Sequence, residues 1–476
     1  MSHYPNPFDF VPFPSAPILR TEKQFDALGE KFSGYLELEI KALAPVHVVG
    51  SVEGDASENR SFFFRQNDQP CIPASSIRGC LRAFTEALTA GWVSQAQPPE
   101  MYQKVYGRAR GMRNKGRHIG FCTLKDKNDH GLPSAVNIAF KPELSDAKLD
   151  VASYLFGIVT EGKQTENKEQ ARKSKIWIED AYLDPTSTSK EDYWIPDIKI
   201  GNAFMGGAKP SASNWWYFKP AKIWKRNLSG TAPVAEFVGE NFRGRKFYFH
   251  QNPVKCIQKY DPKNGEWSYP ENKSHQSTFH PIGLECMGPG KTTLRFRIYL
   301  DGVPRPLFSL LINILLPGEH IRHKLGYAKA YGYGSIEFIL KSAKLRTFGL
   351  GIPNALELQD VPGGNWDNKT LAKYGIADFI DPEALVWLAR ILGWPPEDLL
   401  FMYPQYKEHE FKQPIQYSNF MHMTKIKMHA SGMMKIKSTE QAQDIAEDLW
   451  SLKRPIDFRL YQEKANNWDI IEQRRP

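Results

Sequence analysis

Two short segments, far apart in the chain, constrain it most. Ile72-Pro73-Ala74-Ser75-Ser76-Ile77-Arg78-Gly79 opens a helix, and Gly326-Tyr327-Ala328-Lys329-Ala330-Tyr331-Gly332-Tyr333-Gly334 leads into a strand. In the first, Pro73 fixes the entry and Ser75 is placed to cap through its hydroxyl. Ile77, Leu81, Phe84 and Leu88 recur at helical spacing, which makes one face apolar, while Arg78 and Arg82 fall four apart on another face. Gly91 is a stop signal. A helix N-terminus presents unpaired N–H groups and a partial positive charge, so it receives phosphate readily. Ser75, Ser76, Arg78, Gly79 and Arg82 are the binding candidates there. In the second segment, glycines surround Lys329; they permit positive φ, and successive N–H groups in such a turn form an anion nest. Lys324, Gly326, Lys329, Gly332 and Gly334 are the candidates. Each segment also has a plainer reading: an ordinary capped amphipathic helix with solvated arginines, and a glycine-rich turn before a strand.

The charge balance agrees with a polyanionic partner: Lys and Arg exceed Asp and Glu by 62 to 53, a net charge of +9. A length of 476 residues allows two or three domains, or one with large insertions. The five cysteines are scattered with no CxxC pair, which argues for a reducing compartment and against a zinc ribbon or disulfide scaffold. With no apolar run of transmembrane length and a Pro/Phe-rich rather than signal-like N-terminus, a cytoplasmic protein with no membrane partner is expected.

Along the chain, residues 1–33 read as an extended arm with a short helix, where Thr21 and Gln24 have capping-box spacing. Tyr35–Ile40 alternates as a half-buried strand. A polar loop over 50–61 precedes Phe62-Phe63-Phe64 and the Ser75 helix. Further strands are expected at 176–181, 293–300 and 335–345, with an apolar helix over 307–316 between the last two. The order strand, helix, strand, strand, helix, strand is that of an α+β, ferredoxin-like (RRM-like) core spanning 34–346, shared with RNA-recognition modules. Two insertions interrupt it, at about 100–150 and 187–290. Residues 347–476 form a helical C-terminal appendage, with helices expected at 382–392 and 438–452 and methionines concentrated over 421–434.

The two opening segments in this order, together with Leu155-Phe156-Gly157 and the basic-then-strand stretch 172–182, resemble the RAMP superfamily of CRISPR-associated proteins (repeat-associated mysterious proteins). The resemblance is to the RNA-holding backbone subunits of type III effectors, and it covers about 34–346. It implies partners: CRISPR RNA, a paired single-stranded target RNA, and other effector subunits. Catalytic subunits of that family place an Asp in the loop after the first strand, where it supports target cleavage with a divalent metal, Mg²⁺ or Mn²⁺. Here the loop offers Glu53, Asp55 and Glu58, with Asp55 as the metal-holding candidate. By the family's spacing the Asp would fall near Asn59–Arg60, so Asp55 is displaced, and three solvated acids are the plainer reading. Two alternatives remain open: a stand-alone endoribonuclease that matures CRISPR RNA, and a non-catalytic RNA-binding scaffold. The first would use a general-base His near the first helix; His47 precedes the loop, but none lies within 75–90.

The first insertion carries Arg108, Arg110, Arg113, Lys115 and Arg117 between glycines and reads as a nucleic-acid arm. The second mixes aromatics such as Trp215 and Trp216 with cations including Arg245 and Lys246, a stacking surface or a small β-rich core. Gly288-Pro289-Gly290-Lys291-Thr292 imitates a Walker A loop, but Glu285 stands where the first Gly belongs and a strand pattern follows. His320 and His323 lack a third metal ligand in the sequence pattern.

Overall fold

The computed structural model describes residues 8–53, 60–94, 121–122, 136–144, 147–159, 171–183, 194–199, 218–226, 234–242, 244–251, 259–261, 266–268, 283–290, 293–348, 364 and 366–396. The elements that matter for the site are, in chain order, β1 (Lys31–Ala42), β2 (Arg65–Gln66), β3 (Gln69–Ile72), α1 (Ala74–Leu88), α2 (Val151–Phe156), β4 (Ile176–Ile178), β5 (Ala181–Leu183), β6 (Thr293–Pro304), α3 (Arg305–Leu315), β7 (His323–Lys324), β8 (Ser335–Phe348) and α4 (Pro382–Ile391). The chain is α+β. Its main sheet is antiparallel in the order β7-β8-β1-β6-β5-β3-β2, with β4 also paired to β6.

Period-two patterning builds the centre of this sheet. Leu36, Leu38 and Ile40 of β1, Leu294, Phe296 and Ile298 of β6, and Ile336 and Phe338 of β8 are all buried on one face. The apolar faces of α1 (Ile77, Leu81, Phe84, Leu88) and α3 (Leu307, Leu310, Leu311, Ile314) join the same cluster. Each such side chain removed from water contributes about 2 kcal/mol against the entropy of ordering. The other sheet face carries Tyr35, Glu37, Lys41, Arg295, Arg297 and Tyr299, the intervening positions of the same strands.

Several local expectations change. The stretch 176–181 is two short strands, β4 and β5, rather than one. Ser75 does not cap α1: Pro73 holds the N-cap position without a side-chain bond, and the Ala74 N–H donates instead to Asp180 Oδ1 at 2.6 Å. Gly91 does not end the helix in the left-handed region; Ala90 takes that conformation at φ 47°. Gly91 is needed for space, since a Cβ there would lie 2.3 Å from Asp150 Oδ2. The Thr21–Gln24 capping box forms as expected.

The described ends of the 50–61 stretch are strands: Val49–Glu53 pairs antiparallel with Arg60–Phe63, and Gly283–Met287 and Trp194–Lys199 continue the pair into a four-stranded sheet. The N-terminal arm is not a free extension: Phe8–Val11 pairs antiparallel with Arg245–Tyr248. The described part of the C-terminal region packs into the core. Leu388, Ile391 and Leu392 belong to the main apolar cluster, and Asp381 N–H donates to Leu88 O at 2.8 Å. The expected helix over 438–452 and the methionines over 421–434 lie outside the described residues, as do Trp215 and Trp216.

Candidate nucleic-acid interface

The start of α1 and the glycine-rich loop meet across one cleft of about 530 Å³. Ser75, Ser76, Gly79, Cys80 and Ala83 line one wall, and Lys324, Gly326, Tyr327 and Lys329 line the facing one. A third cation, Lys246, enters from the strand Arg245–Tyr248, and no Asp or Glu is among the described lining residues. Helical geometry places this wall: positions 75, 76, 79 and 83 share a side of α1 that is distinct from its apolar face.

The loop is held by backbone contacts that only glycine allows. A Cβ on Gly326 (φ 91°) would lie 2.3 Å from His47 O, and one on Gly334 (φ 79°) 2.1 Å from Leu325 O. Tyr327 N–H donates to His47 O at 2.8 Å and Gly334 N–H to Pro45 O at 2.8 Å. Tyr331 and Gly332 N–H groups donate within the loop, to Ala328 O and Lys329 O. Much of the expected nest therefore serves to close the loop on itself and on residues 45–47. What the loop turns toward the cleft is cationic: Lys329 Nζ sits 2.6 Å from Gly326 O, and Lys324 Nζ is 3.0 Å from Lys329 O and 3.2 Å from Tyr333 O.

Two of the cleft cations, Lys246 and Lys329, are held where burial disfavours their charge. Burial, with Lys329 nearby, pushes the Lys246 amine down to about 7, while its Nζ rests 3.9 Å from the centre of the Phe8 ring and 4.7 Å from that of Tyr248. Burial also lowers Lys329. An anion entering the cleft would relieve both, because a nearby negative charge favours the ammonium form.

Arg78 and Arg82 turn elsewhere. Arg78 Nη2 donates to Phe156 O and its guanidinium stacks at 5.9 Å from the Phe156 ring centre. Arg82 donates to Gly157 O at 2.7 Å and to Glu86 Oε1 at 2.8 Å. Both therefore clamp the segment Leu155-Phe156-Gly157, and both are half-buried. Burial pushes the Glu86 carboxyl up, opposed by Arg245 and Arg82.

Of the three acids after the first strand, Glu53 is exposed at the end of its strand, and Asp55 and Glu58 lie outside the described residues. So do Arg108, Arg110, Arg113, Lys115 and Arg117. Among the described residues no three His, Cys, Asp or Glu side chains converge as a metal site. Glu53 alone does not make one. His47 is fully buried, with Nδ1 2.7 Å from Glu285 O and Nε2 2.9 Å from Ser61 Oγ, and burial lowers its pKa. His323 is among the residues lining the cleft but is itself buried, bonded to Ile314 O at 2.7 Å and pushed down to about 4 by burial. Neither is placed as a proton-transfer group open to solvent.

A family model, described as the RAMP superfamily, matches residues 39–337. The chain belongs to the RAMP superfamily. The match takes in both walls of the cleft and Lys246, while Leu392, which also lines it, lies outside the matched region. No curated protein matches the chain. Among solved structures, a chain of a structure titled "Type IV-B CRISPR Complex" aligns at 12% identity with a TM-score of 0.24, covering 71% of this chain and 98% of that one. Among the described residues of this RAMP protein, no helix is long and apolar enough to cross a membrane.

Lys246 is the cleft residue that sequence reasoning did not single out. It appeared only within a run of cations and aromatics in the second insertion. Its position depends on Phe8–Val11 pairing with Arg245–Tyr248, a contact between segments more than 230 residues apart, and no local pattern reports that.

Proposed function

We propose that this RAMP protein is an RNA-holding backbone subunit of a type III CRISPR effector complex, with CRISPR RNA, its paired target RNA and neighbouring subunits as partners. The observation that carries the reading is the convergence of the Ser75 helix start and the Lys324–Lys329 loop on one cleft lined by three lysines and no described carboxylate. A phosphate there would meet the hydroxyls of Ser75 and Ser76 and the positive end of α1 on one side, and ammonium groups on the other. Gly79 lets a backbone approach the helix closely, because a Cβ would find nothing within 4 Å. Such contacts position a nucleic acid without reading its sequence, which leaves sequence choice to base pairing. The strand order β8-β1-β6-β4/β5, with α1 and α3 against one face, supports reading the core as ferredoxin-like.

Purification from the host with sequencing of bound RNA tests this directly. Guide-like RNA retained by the wild type and lost in Lys329→Glu is the expected result; absence of RNA in both overturns it. Target cleavage with Mg²⁺ or Mn²⁺ belongs to the same reading, with Asp55, Glu53 and Glu58 as the acids. In the assembled complex, Asp55→Ala should remove cuts while leaving binding intact, since a carboxylate that positions a metal or a 2′-hydroxyl acts mainly in the transition state. Persistence of every cut in all three single variants would identify a scaffold without catalysis. For the stand-alone processing enzyme, His47 offers no support, as both its ring nitrogens are engaged internally.

A further inference from the structure

The outward face of the main sheet carries a row of rings that the cleft does not explain. Register places Trp177 beside Tyr299, Tyr299 beside Tyr35, and Tyr35 beside Lys344, on β4, β6, β1 and β8 in turn. With neighbouring strands about 4.8 Å apart, the three rings span roughly 10 Å. Tyr35 and Tyr299 ring centres are 5.8 Å apart, and Trp177 is 40% exposed. Cations stand over the row: Lys173 Nζ is 4.8 Å from the Trp177 ring centre, and Arg297 and Lys344 are 5.0 and 5.7 Å from that of Tyr35.

We infer that this face is a second RNA surface, on which single-stranded RNA stacks two or three bases on Trp177, Tyr299 and Tyr35 while its phosphates run along β8. Aromatic rings at adjacent positions of central strands form a platform for unpaired bases, because every base has a π-face and ring stacking tolerates any sequence. Charge selects the occupant. The described carboxylates near the rings are engaged: Glu37 with Arg297, Glu39 with Arg295 and Lys341, Asp301 with Lys173 at 3.3 Å, and Glu179 accepting from the Tyr299 hydroxyl at 2.7 Å. Beyond those pairs, β8 adds Lys344 and Arg346, both exposed. A protein-binding core would be depleted in charge; alternating rings and cations suit a polyanion with aromatic bases. The surface shares its partner class with the cleft but none of its residues.

The test uses the full chain freed of nucleic acid and a fluorescein-labelled oligouridylate, followed by anisotropy over a salt series, in the wild type and again with Lys329→Glu in the cleft. Trp177→Ala should weaken binding about tenfold in both backgrounds with an unchanged salt slope, and Trp177→Phe should stay within about twofold of Trp. Lys344→Gln should lower the salt slope by about 0.7. A 4-thiouridine probe should crosslink to peptides holding Trp177 or Tyr299. The inference is overturned if Trp177→Ala binds like the wild type in both backgrounds, or if the Phe variant loses as much as Ala. It is equally overturned if the variant alters self-association by light scattering and not RNA affinity, which would make the face a protein contact. Loss with Trp177→Ala but none with Lys329→Glu would retain this surface and reject the cleft.

Discussion

Arg245 and Lys246 are neighbours in sequence on one short strand, yet their charges meet opposite surroundings. Arg245 is buried against the Glu86 and Asp150 carboxylates and bonds to Trp92 O at 3.2 Å, and Arg82 is paired with Glu86 nearby. Lys246 faces Lys324 and Lys329 across a cleft without a described carboxylate. A buried cation with a carboxylate partner is a structural device, and removing one partner leaves the other uncompensated. In the cleft, burial lowers the Lys246 and Lys329 amines, and an external anion would relieve both. The same residue types thus mark a brace in one region and a binding surface in the other, and the difference lies in what packs against them.

Breaking the brace should have the largest effect. Arg82→Met leaves Glu86 buried with less positive charge beside it and removes the bond to Gly157 O. A loss of about 3 kcal/mol in urea denaturation is expected, with RNA affinity unchanged in the fraction that remains folded. A loss under about 1 kcal/mol would mean that the Glu86 region is not a brace.

Reversing a cleft charge should do the opposite. Lys329→Glu places a carboxylate among lysines, so the folded protein should melt no lower than the wild type. Affinity for single-stranded RNA should fall more than tenfold at moderate salt, and the slope of log affinity against log salt should become shallower by about one. Melting at a lower temperature with RNA affinity retained would merge the two regions into one structural class.

The cleft should also respond to pH. The Lys246 amine lies near 7 in the folded protein, below its ordinary range, so an anion that favours the ammonium form takes up a proton on binding. Affinity should be highest below pH 7 and fall as pH rises to about 8.5, approaching tenfold per unit at most for one proton. The stability sign is reversed. The unfolded chain binds more protons between the depressed and the ordinary amine pKa, so this group adds stability as pH rises through that window. His323, near 4, and Cys80, pushed up to about 12 by burial, do not titrate there. A pH-dependent affinity that survives Lys246→Met would assign the effect elsewhere.

The smallest expected effect concerns how α1 is aimed. Asp180→Ala removes the acceptor for Ala74 N–H, costing about 1 kcal/mol by thermal or urea unfolding. RNA affinity should shift about twofold or less, since the cleft wall itself is kept.

Much of the frame was legible in the chain alone. The alternation in β1, the apolar spacing of α1 and α3, the Thr21–Gln24 capping box and the glycines at 326 and 334 report contacts within a few residues or a backbone conformation only glycine adopts, and both leave a local trace. Pairing across the fold leaves none. Ser75 looked like the cap of α1, but a carboxylate 106 residues away does that work. Arg78 and Arg82 looked like phosphate ligands, and their position on α1 turns them toward the Phe156 and Gly157 carbonyls instead. The loop's glycine spacing suits an anion nest, whereas four of the loop's N–H groups close on backbone carbonyls.

The α+β elements, the basic balance and the two segments that build the cleft are thus legible before any folding is considered. Those follow from period, propensity and charge, which are properties of neighbours along the chain. It took the folded chain to set Arg82 and Arg245 against the Glu86 carboxylate, to bring Lys246 into the cleft beside an N-terminal strand, and to line up Trp177, Tyr299 and Tyr35 across three strands. Strand register and side-chain burial are set by packing between distant segments, so the distinction between brace and binding surface exists only once the chain has folded.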